Sequence, residues 1–320
     1  MAKQTMARKR LEKVITLGYA TKEFLDAKEA KGLASKTIEN YEKSIAKFIK
    51  YLGIDKETNI KDIDESSFYH FINAMRADEI RPTSINHYIR DLRSFFSWCA
   101  EREWCDKFRA LTESKVQEEE PKLFTDEEMD LLLVKPKDDE SFTTYKMWVI
   151  ISLMYDTGLR ARSVCNLKIN DIDFRVGEIV VRETKNKKIL PLPISAALTN
   201  ILKEYLKTTN VAENEWLFPS STTGEQMTYN ALRQAFTRYC NARGVEHHNL
   251  HGIRYSFTKA AVQSNLNQFK LQKMLGHQTL SMTSHYVKLY GGDLREDWDK
   301  HSPLDKKKQQ TLRTPKVKRK

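Results

Sequence analysis

Cysteine is scarce in this chain of 320 residues, and Cys99, Cys105, Cys165 and Cys240 never fall into a Cys-x-x-Cys pair. That pattern excludes a disulfide framework and a thiolate zinc site, and leaves buried thiols as the expectation. His247, His248 and His251 form a histidine cluster, but adjacent histidines diverge and no carboxylate or thiol completes the set, so no metal is expected there. No apolar run approaches the roughly 20 residues that a spanning helix needs. The basic stretch Met1 to Lys13 leads into no apolar region of signal-peptide type. An intracellular protein without a membrane partner is therefore expected. Internal repeats and low-complexity tracts are also lacking. Acidic charge is the minority, with 43 Asp plus Glu against 54 Lys plus Arg, for a formal net charge of +11. A surplus of that sign favours a polyanionic partner, because neutralising phosphates releases condensed counterions.

The length suits two domains, each able to bury a core. Residues 1–19 read as a basic lead-in and residues 20–108 as a helical domain. Ser35 is placed to cap a helix whose apolar positions Ile38, Tyr41, Ile45, Phe48 and Leu52 recur at steps of three and four, ending at Gly53. A second helix is predicted from Glu65 to Met75, with Phe68, Phe71, Ile72 and Met75 inward. A third runs from Thr83 to Glu101 and buries Ile85, Ile89, Leu92 and Phe96. Residues 109–122, with the polar Val116 to Pro121, read as a linker. Thr125-Asp-Glu-Glu128 is a capping-box signature opening the next domain, residues 123–304. There, Thr143 to Tyr155 is apolar on all sides and Gly158 breaks it. Three short strands follow near Ile172, Glu178 and Lys188, the last two joined by the polar turn Thr184 to Lys187. Helices resume over 196–206 and 229–242. Residues 305–320 are dense in lysine and arginine and nearly devoid of apolar side chains, a composition expected to be disordered in isolation and to suit phosphate contacts.

The chemistry concentrates late in the chain. His251-Gly-Ile-Arg254 is followed by Leu275-Gly-His277 and then by Tyr286. His251 and Arg254 are three apart, so both can project from one helix start. Arg160 stands upstream in Thr157-Gly-Leu-Arg160, and Lys185 lies in the predicted hairpin. Two arginines, a lysine, two histidines and a tyrosine, with no acidic metal cluster among them, read as a metal-free phosphodiester site.

In this order the residues resemble the tyrosine recombinases, the phage-integrase family that includes the Xer proteins. The resemblance spans roughly residues 20–300. It is carried by Arg160, Lys185, His251, Arg254, His277 and Tyr286, with Tyr-Asp-Thr-Gly-Leu-Arg before the first and Leu-Gly-His before the last. Two positions depart from the family pattern: Ser163 stands where a glutamate is usual, and Tyr255 where histidine is frequent. The resemblance implies a mainly α fold. A SAM-like helical core-binding domain would precede a mostly helical catalytic domain with a small antiparallel sheet. It implies double-stranded DNA as partner, no cofactor, a dimer on each core site and a tetramer in synapsis, in the cytoplasm with the nucleoid.

By the same resemblance Tyr286 is the nucleophile, and Arg160 and Arg254 clamp the phosphate oxygens. Lys185 is the general acid, chosen over Lys187 and Lys188 in the same turn by its spacing to Pro193. His251 handles the tyrosine proton or holds a phosphate oxygen, and His277 donates to the phosphate. The third helix carries Arg81, Thr83, Asn86, Arg90 and Arg93, types suited to phosphates and base edges; a solvated helix face is the alternative for each. Leu294 and Trp298 suit docking on a neighbouring protomer, or packing on their own domain. The short lead-in leaves no room for the arm-site domain of longer phage integrases, which favours a simple-site recombinase. A type IB topoisomerase and a DNA-binding architectural protein are the rival readings.

Overall fold

Four amphipathic helices account for the N-terminal part of this computed structural model, which describes residues 14–109, 113, 123–182, 189–209, 215–281, 283, 284 and 286. The chain divides into two units, Met1–Glu119 and Glu120–Lys320. The first holds α1 (Leu17–Ala30), α2 (Ser35–Leu52), α3 (Glu65–Ala77) and α4 (Pro82–Ala100). Their inward stripes supply Phe24, Phe48, Phe68, Phe71, Phe95 and Phe96, all buried. Most of these rings meet edge to face, as aromatic quadrupoles favour; Phe24 and Phe95 are 5.3 Å apart at 78°, and Phe68 and Phe96 5.0 Å apart at 89°, while Phe48 stacks on Phe68. Asp64 and Ser67 form a reciprocal capping box that starts α3, and Pro82 occupies the first turn of α4, where a missing N–H costs nothing.

Two expectations need correction here. The basic lead-in gives way to helix already at Leu17, which is wholly buried together with Ala20 and Phe24. Ser35 is the first residue of α2 rather than its cap. Ala34 takes the extended cap conformation and offers no side-chain acceptor. The helix end at Gly53 is as expected, with the left-handed φ of 64° that glycine adopts without strain.

The second unit is built round α6 (Phe142–Thr157), whose residues from Lys146 to Met154 are all buried. A helix apolar on every side needs neighbours on every side. Here α5 (Asp126–Leu133), α8 (Ala196–Thr209), α9 (Tyr229–Ala242) and α10 (Leu250–Gln263) pack against it. The Thr125 capping box opens α5, with the side chains of Thr125 and Glu128 each bonded to the other's backbone N–H. The short α7 (Ala161–Cys165) follows Gly158, and α11 (Gln268–Leu275) follows α10.

Strands β1 (Ile172–Asp173), β2 (Glu178–Val181) and β3 (Leu190–Pro193) form an antiparallel sheet in the order β1-β2-β3. Its register sets Ile179 opposite Leu192, and both side chains enter the core of this unit. The turn from Thr184 to Lys187 lies outside the described residues. Leu217 and Phe218 pack into the same core, and buried Lys146 donates to Pro219 O at 2.7 Å and Ser221 Oγ at 2.6 Å, which ties that segment to α6. All four cysteines are reduced thiols, three of them buried. Among the described residues no helix is long and apolar enough to cross a membrane.

Candidate active site

Three segments converge on Arg254. The first is the end of α6, where Gly158 closes the helix at φ 66°. Its carbonyl accepts from Arg254 Nη1 at 2.6 Å. The second is the end of α11, where the Leu275 carbonyl accepts from Arg254 Nη2 at 2.6 Å, just before Gly276 turns the chain at φ 60°. Helix C-termini leave carbonyls without intrahelical partners, so two such ends make a cradle for a buried donor. The third is the stretch from His277 to Tyr286. Arg254 Nη2 lies 3.2 Å from His277 Nε2, and His277 Nδ1 lies 3.0 Å from Thr283 Oγ1.

Because a guanidinium only donates, His277 Nε2 must accept. The ring proton therefore sits on Nδ1 and is donated to Thr283. Arg160, at the N-cap of α7, reaches the same cluster: a Cβ built on Gly276 would lie 4.0 Å from Arg160 Nη1.

Four aromatic rings run across this cluster. Asn249 caps α10 and accepts from the backbone N–H of His251 at 3.0 Å. From there, His251 meets Tyr255 at 4.8 Å and 72°, Tyr255 meets Tyr286 at 5.6 Å and 42°, and Tyr286 stacks on His277 at 6.3 Å and 23°. His251, Arg254, His277, Tyr286 and Arg160 are thus gathered from segments far apart in sequence. Sequence reasoning overlooked Thr283 and placed no contact on Tyr255; the only sequence signal for either is its proximity to Tyr286 and Arg254.

The electrostatics follow from burial without counter-charge. Arg254 is only 5% exposed, and no carboxylate lies within ion-pair distance of Arg254 or Arg160 among the described residues. Three of the five guanidinium N–H groups of Arg254 meet neutral acceptors. Burial, and then the nearby Arg160 charge, lower its pKa to about 9. Desolvation also lowers that of Arg160. His277 is pushed down to about 4 by burial, then by Arg254, Arg160 and His251, so it is neutral near pH 7. His251 is lowered too, by desolvation and then by the two arginines. Buried Arg254 and half-buried Arg160, with no anion of their own, make a cationic site that a phosphate diester would complete.

Comparisons with known proteins identify the family. The phage integrase family matches residues 122–291, and the N-terminal SAM-like domain of phage integrases matches residues 21–106. This chain belongs to the phage integrase family of tyrosine recombinases. Tyrosine recombinase XerA of Pyrococcus furiosus is 27% identical over 288 residues, covering 88% of this chain and 94% of the relative. Tyrosine recombinase XerC of Thermodesulfovibrio yellowstonii is 25% identical over 298 residues, covering 90% and 97%. Among solved structures, the Tn1549 transposon integrase with transposon right end DNA superposes with a TM-score of 0.72 at 17% identity, covering 91% of this chain and 99% of that one. XerH bound to palindromic difH superposes at 0.69 and 20% identity, covering 90% and 85%.

Within this recombinase, Lys185 lies outside the described residues, as do Leu294, Trp298 and the basic residues from Lys306 to Lys320. The α4 candidates lie in the first unit. Arg81, Thr83 and Arg90 are exposed and Arg93 is half-buried. Arg90 and Arg93 both lean on Glu113, at 3.9 and 3.4 Å. Asn86 is a correction: it is 8% exposed and counts with the buried face of α4. The three-four period puts it at the edge of the buried stripe, one turn from both Ile89 and Arg90.

Proposed function

We propose that Tyr286 is the nucleophile of a site-specific DNA recombinase that cuts and rejoins strands through a 3′-phosphotyrosyl intermediate. The observation that carries this reading is a buried guanidinium, Arg254, and a half-buried one, Arg160, without carboxylates, in one cluster with the Tyr286 ring. The phenolic oxygen of Tyr286 attacks the scissile phosphorus, the P–O bond to the 5′-oxygen breaks, and the phosphate becomes a tyrosyl ester. The 5′-hydroxyl of another strand then attacks that ester and regenerates the phenol. The bond energy is kept in the enzyme ester, so the scheme calls on no cofactor. An unperturbed phenol, with a pKa near 10, is a poor nucleophile and gains from cationic neighbours.

Arg160 and Arg254 stabilise the non-bridging oxygens as charge builds on them. His251, largely uncharged at neutral pH, is suited to accept the phenolic proton. Lys185 supplies the proton to the leaving 5′-oxygen. His277 differs from the expectation of a phosphate donor: its Nε2 lone pair is turned to Arg254, so it acts here as the acceptor that aims the clamp.

Double-stranded DNA is the partner of this reading, with α4 of the SAM-like unit as the element that follows the duplex. A lambda integrase dimer bound to a core site and a lambda integrase tetramer bound to a Holliday junction share the fold, at TM-scores of 0.68 and 0.70. By analogy, two copies of this chain occupy one core site and four act in synapsis, in the cytoplasm where the chromosome lies. The test is covalent capture on nicked suicide DNA. Tyr286→Phe should bind DNA as the wild type does and form no denaturant-resistant adduct. An adduct of wild-type yield in the phenylalanine variant would remove Tyr286 from the role.

A further inference from the structure

We infer that Tyr255 is a positioning residue that holds the ring of Tyr286 in register with His251. The inference rests on the reading of Tyr286 as the nucleophile and of His251 as the acceptor of its proton. Tyr255 sits on α10, one turn after His251 and next to Arg254, and is half-buried. Its ring meets two others: that of His251 at 4.8 Å and 72°, and that of Tyr286 at 5.6 Å and 42°. Residues four apart share one face of a helix, so α10 itself sets the first contact. The second joins α10 to the segment that bears the nucleophile. One ring thus touches both groups between which the phenolic proton passes in that reading.

Two features make this arrangement more than local packing. The first is where the contacts of Tyr286 lead. His277 stacks on it at 6.3 Å and 23°, but belongs to the same stretch from 277 to 286 and reaches α10 through Arg254 Nη2. The contact with Tyr255 reaches α10 directly. A tyrosine ring is placed by two side-chain torsions, and contact with a second ring restricts both. Because small misplacements of a nucleophile slow a reaction strongly, that restriction bears on rate. The second feature is the stiffness of the support. The neighbours of Tyr255 in sequence, Arg254 and Ser256, are each 5% exposed, and the Arg254 guanidinium is bonded to the ends of α6 and α11. Tyr286 therefore rests against a wall that α10 holds in place. The contacts run between rings, so phenylalanine at position 255 should serve and an aliphatic side chain should not.

The experiment compares wild type with Tyr255→Phe, which keeps the ring, and with Tyr255→Leu and Tyr255→Met, which remove it. Full-length protein labelled with 3-fluorotyrosine reports the Tyr286 ring, its fluorine resonance being assigned by its loss in Tyr286→Phe. Without DNA, wild type and Tyr255→Phe should show this resonance broad and displaced from that of free-chain tyrosine. The leucine and methionine variants should move it towards the free-chain position. In unlabelled protein, single-turnover cleavage at saturating suicide DNA should fall roughly 10-fold in the two ringless variants, the scale of losing two ring contacts. Tyr255→Phe should stay within about threefold of wild type by the same scale, and DNA affinity should be unchanged in all. The loss should persist on DNA with sulfur in place of the 5′-bridging oxygen, since a thiol is a far stronger acid than an alcohol and its thiolate leaves without a proton. That substrate would repair a fault in the general acid but not one in the nucleophile's alignment. A free-chain Tyr286 resonance in wild type, ringless variants that cleave as fast as wild type, or a loss repaired by the sulfur substrate would overturn the inference. A wild-type protein that forms no adduct would count against the functional reading instead, and the fluorine resonance would still decide whether Tyr255 holds the Tyr286 ring.

Discussion

Arginines occupy two opposite settings in this molecule. On α4 of the first unit, the side chains of Arg90 and Arg93 are 58% and 43% exposed and share Glu113 as a counter-charge. In the second unit Arg254 is 5% exposed, and the acceptors it meets are two carbonyls and a neutral imidazole. An exposed pair contributes at most about 1 kcal/mol and is easily exchanged for a phosphate. A buried cation without an anion costs several kcal/mol to desolvate, so a fold that keeps one is poised for a ligand that brings the missing charge. The first setting suits many additive contacts of modest size, the second a single contact on which the reaction depends.

The largest effect expected from this contrast falls at Arg254. Arg254→Met should reduce single-turnover cleavage on the order of 100-fold or more, the scale of losing a preorganised donor. Its melting temperature should barely move, because relief of the buried charge offsets the hydrogen bonds lost by Gly158 and Leu275. Arg254→Lys should be nearly as inactive, since an ammonium lacks the planar fork. Thermal melts alongside cleavage rates decide the point. If Arg254→Met unfolds, the residue is a structural strut and the contrast between the two settings collapses.

Two helix-ending glycines give a second, smaller comparison. Gly53 ends α2 at φ 64° and a Cβ there would meet nothing within 4 Å; Gly158 ends α6 at φ 66° and a Cβ would fall 2.4 Å from Phe257 Cδ1. Gly53→Ala should cost only the left-handed backbone term, about 1 kcal/mol, and leave cleavage alone. Gly158→Ala should add the clash to that term, for about 2 kcal/mol or more. It should also slow cleavage roughly tenfold, because the displaced carbonyl is the one that holds Arg254. Chemical denaturation of both variants, with cleavage assays, would show whether the second unit is as sensitive as this predicts.

Much of this was legible in the sequence, and the reasons differ by element. The apolar period marked α3 and α4 within a residue or two, and the all-apolar stretch marked α6, because burial on one face or on every face leaves a direct trace in residue order. The order of Arg160, His251, Arg254, His277 and Tyr286 marked a candidate site, and the structure brings those side chains into one cluster. Two things were not legible. The first turns of α1 were hidden by their basic context, and only packing shows Leu17 to be core. The contact of Thr283 with His277, and the burial of Asn86, depend on which way a short polar side chain turns, which tertiary contacts decide. A threonine three residues before a tyrosine carries no pattern of its own.

The pH dependence of stability probes the second unit alone. The folded-state pKa of His277 is depressed from 6.5 to about 4, and that of His251 is also lowered, so the folded protein binds fewer protons than the unfolded chain between those values. Stability from this source is complete above about pH 6.5 and is lost progressively as pH falls towards 4. Below that the loss levels off. Wild type should therefore melt at falling temperature across this window, and His277→Gln should show a shallower fall whatever its starting stability. The groups facing His277 among the described residues are Arg254, Arg160, His251, Thr283 and the Tyr286 ring, none of them a carboxylate that would reverse the sign. Equal slopes in wild type and variant would mean that His277 is solvated or charged in the folded state.

The smallest effects belong to α4. Arg90→Gln and Arg93→Gln should change stability by less than about 0.5 kcal/mol, because each loses only an exposed partner. Cleavage at saturating DNA should be unchanged. Their contribution should appear in binding measured at several salt concentrations: each arginine that meets a phosphate lowers the slope of log K against log salt by about 0.9. The loss is then equal on target and random duplexes. An arginine that reads a base edge behaves differently, costing roughly 1–3 kcal/mol on target DNA alone. Asn86→Ala separates burial from exposure on the same helix, since a buried side chain should alter the melt and leave the salt slope where it was. If Arg90→Gln instead abolished cleavage at saturating DNA, the division between an additive exposed face and a decisive buried Arg254 would fail at its exposed end.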